Sequence, residues 1–239
     1  MINGMGYYGY YTFDWTYILV LIGVILSIAA SSMVSSTFNK YVRVRSMSGL
    51  TAAQVARKIL DKNGLSNIPV ELVRGRLSDH YDPRRKVLRL SESTYDSASV
   101  AAIGVAAHEC GHALQHREGY KPLEFRNAIV PAANLGSRLG IPMILLGLIF
   151  GAGGNFLIQL GIWVFSIAVL FQIVTLPVEF NASSRALWML EDYGILGEQE
   201  NRQAKKVLSA AAMTYVAAAA ASVLQLLRLI LLFGRRNRD

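Results

Sequence analysis

The run His108-Glu109-Cys110-Gly111-His112 sets two imidazoles four residues apart, with a carboxylate directly after the first. On an α-helix, residues at i and i+4 lie on one face, so both rings can reach a single metal ion. Neutral imidazole is a natural zinc ligand. Glu109 projects to the neighbouring edge of that face, where it can accept a proton from water held by the ion. Zinc brings the pKa of such water to about 7 in well-formed sites, so hydroxide is available near neutrality. The chemistry implied is metal-assisted hydrolysis, with zinc as cofactor and Glu109 as general base.

A catalytic zinc usually has three protein ligands and one open position. His116 has the next i+4 spacing, but at ~1.5 Å rise per residue it lies about 12 Å along the helix axis from His108. One straight helix cannot bring all three rings to one ion, and His116 is read as a surface or membrane-interface residue. The third ligand is expected to be a carboxylate from a second helix: Glu124, Glu179, Glu191, Asp192, Glu198 or Glu200. Glu179 is favoured because it follows an apolar run that returns the chain to the side of the histidines. It also sits just inside a helix that Pro177 can open. His80 and Tyr81 are secondary candidates. Either could donate a hydrogen bond to the oxyanion of a peptide carbonyl under attack, or both could simply fix a turn with Asp82 and Pro83. Cys110, the sole cysteine, points off the histidine face and reads as a small packing residue; with one thiol, no intramolecular disulfide can form.

The elements that must carry these residues are mostly apolar. The chain has 239 residues, 53% hydrophobic, and a mean hydropathy of +0.34, which moves the expectation from a soluble domain to a membrane protein with a modest aqueous part. Residues 15–34 carry no charge and suffice to cross ~30 Å of hydrocarbon. They are preceded by an aromatic cluster (Tyr7, Tyr8, Tyr10, Tyr11 and Phe13, continuing into Trp15 and Tyr17) with no Lys or Arg. That pattern suits an uncleaved anchor with an interfacial belt better than a secretory signal. Residues 129–150 and 156–176 form two more spans, joined by the uncharged turn 151–155. Residues 210–233, which contain Arg228, form a fourth, although that puts the tail with Arg235, Arg236 and Arg238 outside, against the positive-inside rule; a bent or amphipathic helix packed on the others is the alternative.

Between the first two spans, residues 40–126 are polar and rich in Lys and Arg. This accounts for much of the formal charge of +8 and places the segment on the cytoplasmic side. Within it, residues 48–63 read as an amphipathic helix capped by Thr51 or Ser48 and stopped by Gly64. Residues 68–74 and 86–90 read as strands, the second a candidate edge along which an extended peptide could align. Residues 80–83 read as turn chemistry. Asp96 or Ser97 is expected to cap a helix over residues 98–116. Residues 177–206 are expected to form a separate cytoplasmic helical segment with the third metal ligand.

Three stretches carry a family resemblance: Asp79-His80-Tyr81-Asp82-Pro83-Arg84, Ala107 to Gln115 around the two histidines, and Leu176-Pro177-Val178-Glu179-Phe180-Asn181-Ala182-Ser183. Together they resemble the bacterial YugP-type membrane neutral zinc metallopeptidases over nearly the whole chain, and more distantly the HtpX-like and CAAX prenyl protease group. The resemblance implies gluzincin-type coordination by His108, His112 and Glu179, with Glu109 as catalytic base. One departure stands out. The HtpX-like pattern often has Asp four residues after the third glutamate, where this chain has Ser183, so the groups that orient the metal histidines are left unassigned.

The expected molecule is therefore a mainly α integral membrane protein. It has three to four transmembrane helices and a small cytoplasmic α+β zincin-like domain carrying the HExxH helix. It is placed in the bacterial plasma membrane as a multi-pass peptidase. Its partners are the lipid bilayer and a peptide or membrane-protein substrate, with an oligomer or regulatory membrane partner also compatible and no nucleic acid. Three rival readings remain at this stage. Intramembrane proteolysis is compatible with helix length. A non-catalytic zinc scaffold would have no need of Glu109. Binding of anionic lipid or nucleic acid through the basic segment would leave His108 and His112 unexplained.

Overall fold

The computed structural model describes residues 14–234; the aromatics before Asp14 and the basic tail after Gly234 lie outside that range. Six helices and one small sheet are described: α1 (Tyr17–Tyr41), α2 (Ala52–Lys62), β1 (Val70–Val73), β2 (His80–Asp82), β3 (Val87–Ser91), α3 (Val100–Arg117), α4 (Lys121–Ile149), α5 (Asn155–Asp192) and α6 (Glu198–Phe233). Four of the described helices, α1, α4, α5 and α6, are long and apolar enough to cross a membrane. Their large apolar side chains stay outward, as Ile18, Leu21 and Ile25 on α1 and Trp163 on α5 show. That exposure would be unfavourable in water and is the natural state of a helix facing lipid.

The long helices exceed the apolar runs that announced them, because each continues into a polar extension. The largest correction concerns Pro177, which opens no new helix. α5 runs through it as one element of 38 residues, so residues 156–176 and the start of 177–206 are continuous. Pro131 and Pro142 are carried inside α4 in the same way. Proline removes one backbone hydrogen bond and crowds the preceding turn, but packing on both sides holds these helices together, as neighbours do in membrane bundles.

α4 and α5 form a hairpin closed by a short 3-10 turn at Gly151–Gly154. Their contact is built on glycine. A Cβ at Gly136 would lie 2.4 Å from the Val164 carbonyl oxygen, and one at Gly161 would lie 2.7 Å from that of Gly140. Without a strong hydrophobic force between lipid-bathed helices, close backbone approach through small residues supplies the association.

The polar extensions fold with the segment between α1 and α4. Thr51 caps α2 in a reciprocal capping box with Gln54, and Gly64, at φ +67°, ends it. Ser99 caps α3, its Oγ accepting from the Ala102 amide at 3.2 Å, in place of Asp96 or Ser97. In the sheet, β3 lies between β1 and β2, parallel to the first and antiparallel to the second. β3 is thus the central strand, not an edge, which fits its almost wholly buried pattern. The expected turn at 80–83 shifts as well. His80–Asp82 is an edge strand, and the reversal follows at Asp82, whose Oδ1 accepts from the Arg84 and Arg85 amides at 3.0 and 3.1 Å.

One core joins these pieces. Ile59 and Leu60 of α2, Leu88 and Leu90 of β3, Ile103 of α3, Met189 and Leu190 of α5 and Leu208 of α6 are buried together. The segment between α1 and α4 is therefore not an independent insertion; the ends of two apolar helices complete its core.

Replacing Gly161 by Leu should force α4 and α5 apart. The expected loss is about 1–3 kcal/mol or more, read as a thermal midpoint lower by roughly 3–10 °C in detergent. Gly153→Ala, where an added Cβ meets nothing within 4 Å, should leave it unchanged.

Candidate metal centre

α3 can enter the middle of the molecule because its buried face is made of small residues, among them Ala101, Ala102, Gly104, Ala106 and Ala107. The closest approach is at Gly111, where a Cβ would lie 2.6 Å from the carbonyl oxygen of Ala182 on α5. This contact lies between the two histidines on one side and Glu179, three residues before Ala182, on the other. The His108 and His112 rings stand edge to face with centroids 4.7 Å apart. Glu179 Oε2 is 3.3 Å from His108 Nε2 and 3.6 Å from His112 Nε2. The three residues each offer one ligand atom, all within 4.8 Å of one another.

The other oxygen, Glu179 Oε1, accepts from Arg126 Nη1 on α4 at 3.2 Å. Oε2 is buried without any hydrogen-bond partner. A buried carboxylate oxygen without a partner is costly, and the arrangement calls for a cation between it and the imidazoles.

The far sides of the rings are held. His112 Nδ1 donates to Gln115 Oε1 at 3.0 Å. The amide of Gln115 is itself fixed, since its Nε2 donates to the Val178 carbonyl at 2.8 Å and to Asn181 Oδ1 at 2.9 Å. His108 Nδ1 is 3.1 Å from Ser183 Oγ. Each Nδ1 is thereby occupied and each Nε2 turned toward Glu179, as a histidine metal ligand requires. Ser183 occupies the position where the resemblance led one to look for Asp. Gln115 was not singled out from sequence, although its place three residues after His112 puts it on an adjoining helix face. Arg126 was missed because nothing local couples it to a residue in another helix. Tyr215 of α6, also missed, lines the cavities on both sides of the centre.

Glu109 is buried beside the pair, and one of its oxygens accepts from the Tyr81 backbone amide at 2.9 Å. Tyr81 therefore touches Glu109 through its main chain, while its hydroxyl lies 2.9 Å from His116 Nδ1. Burial, then the charge of Asp82, raises the Tyr81 pKa. His116 is accordingly not a free surface residue but a partly buried partner of Tyr81 (centroids 5.8 Å apart). His80 is exposed, with Nδ1 2.8 Å from the Ser78 carbonyl. Both His80 and Tyr81 line a cavity shared with His108, Glu109, His112 and Glu179. Cys110 is buried, its Sγ 3.7 Å from the Ala56 carbonyl, and burial pushes its thiol pKa up.

The remaining carboxylate candidates are engaged or exposed elsewhere. Glu124 pairs with Lys121, Glu198 with Arg202, and Glu191 with Asn201. Glu200 accepts from the Met47 and Gly197 amides, and Asp192 is exposed.

This geometry meets an independent finding. The family described as "Putative neutral zinc metallopeptidase" matches residues 16–234. The chain belongs to this family. It is also 51% identical, over 208 residues, to "Putative membrane protease YugP" of Bacillus subtilis (strain 168), covering 87% of this chain and 92% of that relative. No solved structure matches it. Zinc is the metal of this peptidase family, and two imidazole nitrogens with one carboxylate oxygen form a donor set that suits it. The unpartnered Glu179 Oε2 is the local sign that the set is built for a cation.

Two outcomes follow for the family's metal. Burial works against a charge on His112. The Glu179 carboxylate, 3.6 Å from Nε2, and the charge of Glu109 outweigh it and raise the His112 pKa above the ordinary imidazole value. Protons then compete with metal from a higher pH than an isolated imidazole would allow. Zinc affinity should fall as pH drops through that pKa, by up to about tenfold per unit for one displaced proton, measurable by competition with a chelator. Separately, Ser183→Ala and Gln115→Leu should each weaken zinc binding by roughly 10- to 100-fold, while the overall fold, followed by circular dichroism, is kept.

Proposed function

We propose that the protein is a membrane-integrated zinc endopeptidase that hydrolyses peptide bonds of membrane or membrane-proximal proteins at the cytoplasmic face. The observation that carries this reading is the buried, unpartnered Oε2 of Glu179 set against two Nε2 atoms, with the Glu109 carboxylate opening on the same cavity. In it His108, His112 and Glu179 hold zinc as a gluzincin-like set.

Bound there, zinc supplies Lewis acidity toward a peptide carbonyl and toward water. Glu109 takes the proton from the attacking water and returns it to the departing amine. The Tyr81 amide holds one of its oxygens and leaves the other for that exchange. Arg126, by holding Glu179 Oε1, keeps Oε2 aimed at the imidazoles. His80 stands at the cavity rim, but with Nδ1 on the Ser78 carbonyl and Nε2 3.4 Å from Arg89 Nη1 it serves the oxyanion only by changing partners. The Tyr81 hydroxyl, already engaged with His116, serves that role only by changing partners. β2 is the sheet edge that lies against α3, and it replaces β3 as the strand along which a peptide would extend.

The cytoplasmic assignment rests on the Lys- and Arg-rich segment 40–126; the similarity to a membrane protease of Bacillus supports reading the membrane as a bacterial plasma membrane. An aqueous-facing site is favoured over an intramembrane one because α3 shares its core with the sheet and the amphipathic α2. A scaffold that bound zinc only for structure would have no use for a buried carboxylate pinned beside the metal ligands.

Metal content tests the reading directly. Purified after zinc-replete growth, wild type and Glu109→Gln should carry about one zinc per chain, and Glu179→Ala should lose it. Glu109→Gln should lower cleavage of a membrane-protein reporter by roughly 10²- to 10⁴-fold. A wild type without zinc would overturn the proposal, and zinc retained by Glu179→Ala would overturn the ligand assignment.

A further inference from the structure

The metal centre is flanked by two unlike cavities. One is the polar chamber that contains Arg126, His80 and the Tyr81 edge. The other, of about 210 Å³, shares His108, Glu109 and Glu179 with it and extends to different walls. Its walls are Val34 of α1, Val105 of α3 and Leu208, Ala211 and Ala212 of α6.

Among the polar groups that line this second cavity, Glu109, Glu179 and Tyr215 also line the first, and Asp79, Ser183 and Thr214 have protein partners. Asp79 accepts from the Ser91 amide at 2.8 Å and from its hydroxyl at 2.9 Å. Ser183 faces His108, and Thr214 donates to the Ala211 carbonyl at 2.7 Å. Both Asp79 oxygens are thus occupied by Ser91, and Val34, Leu77, Val105, Leu208, Ala211 and Ala212 form an aliphatic wall. Interiors are otherwise close-packed, and a void forfeits the contacts its lining could make. An apolar cavity of about 150 Å³ is enough to hold a benzene ring, so this one has room for a leucine, methionine or phenylalanine side chain.

We infer that this cavity is the specificity pocket of the site: it receives one large apolar side chain flanking the scissile bond, so the substrates are peptides with an aliphatic or aromatic residue at that position. The inference rests on the peptidase reading for the words scissile bond, but the pocket's selectivity can be measured without turnover. Two of its walls belong to α1 and α6, helices able to span a membrane, which suits apolar segments presented at the bilayer boundary. Ala211 is one of its walls, and a larger residue there would occupy the space the side chain needs.

The experiment uses the zinc-loaded, detergent-solubilised full chain and a series of dipeptide hydroxamates, with affinity read by calorimetry. Leucyl and phenylalanyl hydroxamates should bind wild type on the order of 10- to 100-fold more tightly than the glycyl one. Ala211→Phe should abolish that advantage while keeping zinc content and glycyl affinity, and Ala211→Val, a milder change, should penalise phenylalanyl before leucyl. Equal affinity for all side chains in wild type would overturn the pocket, as would selectivity unchanged by both Ala211 variants. Selectivity of the expected kind in a protein that cleaves no peptide would uphold the pocket and count against the peptidase reading.

Discussion

A buried carboxylate facing two imidazoles is the constraint around which this molecule is arranged. Glu179 lies on a helix that is apolar for most of its length, and its Oε2 has no hydrogen-bond donor. Taking such a group from water is unfavourable by several kcal/mol unless a cation compensates. The compensation depends on distance, and distance depends on how closely α3 meets α5. Gly111 permits that approach: any side chain there would strike the Ala182 carbonyl, a backbone atom in a regular helix that has little room to yield. The glycine inside the histidine motif is thus as much a part of the centre as the histidines are.

The two oxygens of Glu179 divide the work. Arg126 takes Oε1, and Oε2 is left facing the two imidazoles. A similar division governs the rings, with Nδ1 held by Gln115 or Ser183 and Nε2 left toward the centre. Gln115 links these supports, because the amide that orients His112 also binds Val178 and Asn181, the neighbours of Glu179 on α5. A serine serves where related patterns have an aspartate. A neutral partner adds less negative charge to the site than a carboxylate would.

What the sequence made legible were features with a local signature. The i, i+4 spacing of His108 and His112 showed itself, as did the Thr51 cap, the stop at Gly64 and the apolar runs of the long helices. Glu179 was legible through the order of spans and through the family motif, although the reason drawn from Pro177 was mistaken, because packing of α5 overrode the local tendency of proline. Strand order was not legible. Residues 86–90 and 80–82 are short runs whose neighbours are decided by the core beneath them, and the burial that makes β3 central comes from α2, α3 and α5. Arg126 and Tyr215 reach the site from helices whose local pattern announces only a membrane span.

The run 210–233 looked contradictory because it combines a spanning length with Arg228. The structure supplies a local account of that residue. Arg228 reaches Asp14 at 3.0 Å and lies over the Tyr17 ring, 4.1 Å from its centroid, at the start of α1. The charge is paired at one end of an antiparallel helix pair, where a long side chain can extend toward the boundary of the apolar layer. At its other end α6 is no longer a simple span. Glu200 ties the α1–α2 connection through the Met47 amide, Leu208 joins the common core, and Ala211 and Tyr215 face the metal centre. One continuous helix thus passes from a membrane-spanning face to the wall of the site. That continuity sets the candidate centre beside the ends of the apolar helices, with the aliphatic residues of α1 and α6 lining the same cavity as Glu109.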